Sequence, residues 1–401
     1  MAEQRKKKVP PIRFKGFSDE WDEKPIGEVL TEKKRPIELE DNKLYELVTV
    51  RRRNGGVVSR GYLQGKDILV KNYSQLRAGD FIISKRQVVH GATGIVPQHL
   101  DKAIVSNEYM VAVGNENISS EFLTIISTLP DMYRKFFLSS YGVDIEKLFF
   151  DAADWKKRNV VLPKLPEQNE ICSYFAELDQ MIGLHQRKHE KLVTLKIAML
   201  KKMFPQNGAT TPEIRFKGFS EPWEEKKFGE TGEFNPKAEL PEIFEYVDLE
   251  SVVGTQLVAH RTETKHTAPS RAQRLAQQGD LFFQTVRPYQ KNNHLFAAPD
   301  KNYVFSTGYA QIRPFGDGSF LLGLVQGEGF LQTVLDNCTG TSYPAINSNT
   351  LAEILVCIPF PKEQQKIGTY FRQMDKLIAQ HGTQVEKLKQ IKTACLEKMF
   401  V

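Results

Sequence analysis

The sequence is poor in the features that announce a membrane, extracellular or metal-dependent protein. No stretch approaches 18 uninterrupted apolar residues, so no membrane-spanning helix is expected. The start, MAEQRKKKVPP, carries positive charge with no apolar run behind it, which argues against a secretory leader and for a cytoplasmic protein. Its four cysteines, Cys172, Cys338, Cys357 and Cys395, lie far apart without paired spacing; they read as reduced thiols rather than a zinc site or disulfide framework. Eight histidines are scattered, none at ligand spacing from a cysteine or an acid.

Cofactor cradles are missing too. Gly61–Asp67 is one residue too short for a P-loop and ends in Asp where a magnesium-binding hydroxyl is needed. The glycines of GLVQGEGF lack dinucleotide-binding spacing. Pro130-Asp131 with Asp154-Trp155-Lys156 could imitate a metal-dependent nuclease, but a helix start and a surface turn are the simpler reading. The net charge of +6 is by itself weak evidence for a nucleic-acid partner.

What the sequence does contain is a repeat. Glu167–Phe204 and Glu363–Phe400 align without a gap at an offset of 196 residues, sharing among others Glu167, Gln168, Ile171, Tyr174, Phe175, Asp179, His185, Met203 and Phe204 with their counterparts. Neither copy contains proline, and both are rich in Leu, Lys, Gln, Glu and Ala, so each reads as one helix of roughly 57 Å. Leu178, His185, Leu192 and Met199 recur every seventh residue with Ile182 beside them. Met374, His381, Leu388 and Cys395 do the same, flanked by Ile378. A seven-residue stripe stays on one face only when two helices coil together, and the economical partner is the other copy. His185 and His381 hold the same rank in their helices, so in an antiparallel pair they should meet and fix the register.

The segments before the helices also repeat. PPIRFKGFSDEW and PEIRFKGFSEPW open the two halves, and each predicts an extended entry with one helical turn from Ser18 or Ser220. Gly79-Asp80-Phe81 and Gly279-Asp280-Leu281 begin matching strands. Residues 118–138 and 319–336 read as amphipathic helices, and a short apolar strand closes each half.

The loops around the matching strands diverge. One half has Arg51, Arg52, Arg53 and Asn54, then Lys85, Arg86, Gln87 and His90. The other has Arg287, Tyr289, Gln290, Lys291, Asn292 and Asn293, then Thr341, Ser342 and Tyr343. These side chains can form directional bonds to base edges, and one scaffold with two sets of loops could read two sequences. Solvated loops that have drifted apart are the plain alternative. On the residues alone, an enzyme of its own and a coiled-coil adaptor that binds only proteins also stay open.

Taken together, the repeated EQ-led helices, the IRFKGFS-x-x-W entries, the Gly-Asp strands and Tyr343-Pro344-Ala345-Ile346-Asn347 make the whole chain resemble the specificity subunit of type I restriction and modification enzymes. The resemblance implies an α+β chain with an internal pseudo-two-fold. Two similar target recognition domains, 1–163 and 206–359, would be separated by spacer helices, 164–205 and 360–401, packed as an antiparallel coiled coil. It implies double-stranded DNA as ligand, an asymmetric bipartite target, and no catalysis or bound cofactor in this chain. Two methyltransferase subunits would methylate adenine, and restriction subunits would join through them. S-adenosylmethionine, Mg and ATP would belong to those partners. The first half departs from the family pattern in lacking the Tyr-Pro-Ala-Ile-Asn signature.

Overall fold

The computed structural model describes residues 8–401 apart from 70, 71, 207, 299–301 and 341. It is a mixed α+β chain that divides into two compact units, one comprising the chain up to Gly183 with Glu386–Val401, the other Leu184–Val385. The long helices Leu165–Lys202 and Pro361–Lys398 are each shared between the units.

In the first unit, a four-stranded antiparallel sheet runs in the order Leu30–Glu32, Tyr109–Gly114, Phe81–Ser84, Thr93–Ile95. Phe81–Ser84 is buried throughout because both of its faces are covered. Strand alternation sends Phe81 and Ile83 into the core that holds Trp21, and Ile82 into a second core with Val48 and Val105. A five-stranded sheet lies in the order Pro36–Ile37, Tyr73–Gln75, Ile104–Ser106, Leu44–Val50, Val57–Gln64. Its last pair slips by one residue beside Gly61, whose φ of +100° only glycine adopts freely.

The second unit repeats this plan. Gly232–Phe234, Tyr309–Pro314, Leu281–Gln284 and His294–Leu295 form the equivalent antiparallel sheet, with Leu281 and Phe283 facing one core and Phe282 the other. Ala272–Leu275, Tyr303–Ser306, Ile243–Val247 and Arg261–Thr264 match four of the five strands of the other sheet, including its one parallel pairing. The Gly-Asp turns have a structural use. Asp80 takes a forked ion pair from Arg35 at 2.6 and 3.0 Å, and Asp280 takes one from Arg313 at 3.0 and 3.1 Å.

The entry motif and the helix starts are joined in the same way. Arg13 forks onto buried Glu167 at 2.5 and 2.7 Å, and Arg215 onto buried Glu363 at 2.7 and 2.8 Å. The neighbouring glutamines return to the chain before the helix, Gln168 donating to Pro163 and Gln364 to Pro359. The entry segment turns at Gly16 and Gly218, both at positive φ, and no helical turn forms at Ser18 or Ser220. The turns come later, at Ile26–Val29 and Phe228–Thr231, because the chain must first carry Trp21 and Trp223 into the cores.

The amphipathic stretches also differ from expectation. Each is two helices, Ser120–Ile126 with Pro130–Leu138 and Gly318–Gln326 with Glu328–Asp336, broken where Pro130 cannot donate and where extended Gly327 caps one helix and starts the next.

Within each unit the long helices pack antiparallel, as a coiled coil. In the first, Tyr174 meets Cys395 at 3.5 Å and Lys392 reaches Asp179 at 2.5 Å. In the second, Lys196 reaches Asp375 at 2.5 Å, and His185 and His381 share a hydrogen bond between their Nδ1 atoms at 2.9 Å. Leu178, Ile182 and Met374 are buried along the stripe, and His185, Leu192, Met199, Ile378, His381, Leu388 and Cys395 are half-buried. The helices end earlier than the repeat does. Met203-Phe204 and Met399-Phe400 leave the helical path and enter the cores of the second and first unit respectively. Phe400 stands edge-on to Trp21 at 6.1 Å, and Phe204 to Trp223 at the same distance.

Candidate nucleic-acid interface

In the first unit Leu44–Val50 ends in a turn that reverses the chain into Val57–Gln64. Arg53 and Asn54 take left-handed backbone, φ 57° and 55°, which costs a non-glycine residue about 1 kcal/mol each. Two main-chain bonds hold the turn to the next loop, Arg53 N–H donating to His90 O at 2.7 Å and Asn54 N–H to Gly91 O at 2.9 Å. The stretch from Lys85 to His90 is therefore a platform rather than a free loop, pinned from below by buried Val88 and Val89.

The side chains on this platform are tied unevenly. Arg52 donates from Nε to Gln87 at 2.6 Å and from Nη2 to Glu146 at 2.8 Å. Lys85 donates to Asn107 O, and Arg86 pairs with Glu108 while lying over the Phe149 ring. His90 Nε2 is 3.5 Å from Glu146. The guanidinium groups of exposed Arg51 and Arg53 take no hydrogen bond or ion pair among the described residues.

The second unit builds its surface from two segments. Val286 and Ala345 form a β-bridge, and Arg287 N–H donates to Pro344 O at 2.8 Å. Arg287 and Lys291 are both left-handed, φ 54°, on either side of the short helical turn Pro288–Gln290. The Arg287 guanidinium lies 4.6 Å from the centre of the exposed Tyr343 ring, with Tyr289 and Ser342 also exposed. Lys291 is committed to Gln326 O and Glu328, Gln290 accepts from Gln284, and Asn292 accepts from the N–H of Gly254.

Asn293 corrects one expectation. It is buried, and its Oδ1 accepts the N–H of Gln284 at 2.9 Å, so it terminates a strand and cannot meet a ligand at the surface. Thr341 lies outside the described residues. Glu146, Phe149 and Glu328 line these surfaces and escaped the sequence reading, since no motif or spacing connects them to the loops they touch.

Residues 18–194 match the family model described as the type I restriction modification DNA specificity domain. That stretch is similar to a specificity domain of this family. The fold agrees along the whole length. An HsdS subunit from Thermoanaerobacter tengcongensis is similar at 19% identity, TM-score 0.50, over 95% of this chain and 96% of that one. A type I restriction-modification S subunit from M. genitalium is similar at 13% identity, TM-score 0.57, over 98% and 99%. A third similar chain, at 20% identity and TM-score 0.50 over 95% and 97%, comes from work on complex assembly and conformational transition of the type I R-M system. No curated protein sequence matches this chain.

Within residues 18–194 the carboxylates that could imitate a nuclease are spent on structure. Asp154 accepts from Ser139 and Arg158, which hold its carboxyl below the usual range, and Asp131 pairs with Lys135. Among the described residues no group of three or more His, Cys, Asp or Glu is arranged to hold a metal ion, and no helix is long and apolar enough to cross a membrane.

Proposed function

We propose that this chain is the DNA-recognition subunit of a type I restriction-modification complex, each unit reading one half of an asymmetric bipartite duplex target. The reading rests above all on one observation, the same pair of sheets carrying two chemically different cationic surfaces in a chain part of which is similar to a specificity domain. In the first unit Arg51, Arg52, Arg53, Asn54, Lys85, Arg86, Gln87 and His90 meet the duplex. In the second, Arg287, Tyr289, Gln290, Lys291, Asn292, Ser342 and Tyr343 do so.

A cation-bearing left-handed turn suits this work, because it projects long donors from a backbone that cannot relax away from the groove. The chain itself performs no chemistry. Two methyltransferase subunits methylate adenine on either side of it, and restriction subunits join through them. S-adenosylmethionine, Mg and ATP belong to those partners, and no cofactor is assigned to this chain.

Mapping methylated adenines across the genome tests the proposal. With the chain present the methylated sites share a bipartite motif. Replacing residues 206–359 by the equivalent segment of a diverged relative changes one half of that motif and leaves the other intact. A methylation pattern indifferent to the chain would refute the reading.

A further inference from the structure

Three arginines follow one another in the first unit, yet only Arg52 has an acidic partner among the described residues. Its Nε is held by Gln87 and its Nη2 by Glu146, while Nη1 takes no partner among the described residues and the side chain remains about half exposed, 49%. One edge of the planar guanidinium is thus fixed from the side, and the Nη1–Nη2 end is left with two parallel N–H groups. Glu146 also cancels the positive charge of Arg52, which weakens attraction to phosphate without removing those donors.

We infer that Arg52 reads a guanine in the first half-site, and that Glu146 and Gln87 are positioning residues that aim it. The assignment rests on the proposed DNA-recognition role. A guanine presents O6 and N7 side by side in the major groove, which suits a guanidinium end held still in its plane. Arg51 and Arg53, with no acidic partner among the described residues, keep their charge for the phosphates on either side. The aim is rigid. The main-chain bonds of Arg51 to Gly56 and of Arg53 to His90 bracket Arg52, the second tying it to the element that carries Gln87, and His90 in turn stands 3.5 Å from Glu146.

The test is selection of bound duplexes from a randomised library by the full-length chain, purified with the methyltransferase subunits that accompany it. The wild-type chain enriches a guanine at a position of one half-site. Arg52→Ala and Arg52→Lys reduce that preference about tenfold and leave the other half-site unchanged, which doubles as the control for folding. Glu146→Ala relaxes the same position, and Glu146→Gln, which still offers an acceptor, restores it.

The inference is overturned if Arg52→Ala weakens all duplexes alike, lowers the salt slope by about one unit and moves no base preference, since Arg52 is then a phosphate contact. In that case the selected half-sites persist and the recognition role survives. If the wild-type chain selects no half-site at all, both fall together.

Discussion

Arg53, Asn54, Arg287 and Lys291 place non-glycine side chains where the backbone prefers glycine, and all four stand on the two candidate DNA surfaces. Strain kept at such a place has a measurable release. Arg53→Gly should stabilise the protein by about 1 kcal/mol in urea denaturation while lowering the salt dependence of DNA binding by about one charge. A variant that gains stability with unchanged salt dependence would remove Arg53 from the interface. The arginine run was visible in the sequence because like charges do not gather in a core. Asn293 was misread because a polar side chain in a polar loop carries no mark of direction, and here it closes a strand. Glu146 was invisible because it lies 94 residues from Arg52, a contact that only the fold creates.

Among the elements, the long helices were the most legible, since their periodicity and the absence of proline agree over many turns. Their ends were not. The repeat of Met-Phe looked like a last helical turn, but its value lies in tertiary packing against Trp21 or Trp223. Phe400→Ala should therefore cost the first unit about 3–5 kcal/mol and Phe204→Ala the second a similar amount, read by limited proteolysis of each unit. The His185–His381 contact makes a second prediction. Burial, then His185, Lys188 and His189, hold His381 below its ordinary value of 6.5. The unfolded chain thus takes up the proton first, so stability is full above that value and falls as pH drops through it. His381→Gln should flatten this loss between neutral and mildly acidic pH in denaturation experiments, whereas an unchanged slope would place the titration elsewhere.

For the molecule as a whole, the repeated sheets, entry motifs and helices were readable as two related halves, because repetition survives where local propensity is ambiguous. The divergence of the loops carries the functional proposal, and its scale is the intact chain. Each long helix runs from one unit into the other, so inserting a heptad in both should change the preferred gap between half-sites while leaving each half-sequence as it was. Methylome mapping of the insertion variant checks this, and an unaltered gap would deny the helices that role.

Met399 and Phe400 complete a core whose other members begin with Trp21. A ribosome must therefore translate through Phe400 before the earliest-made hydrophobic surface can close, whereas the later-made unit finds all its packing residues within one unbroken stretch. Synthesis order and maturation order are thus reversed, and a nascent chain halted before Phe400 should present its amino-terminal portion to chaperones and proteases. Ribosome-bound intermediates of increasing length, probed with protease, should show protection arriving there only with the last residues of the core.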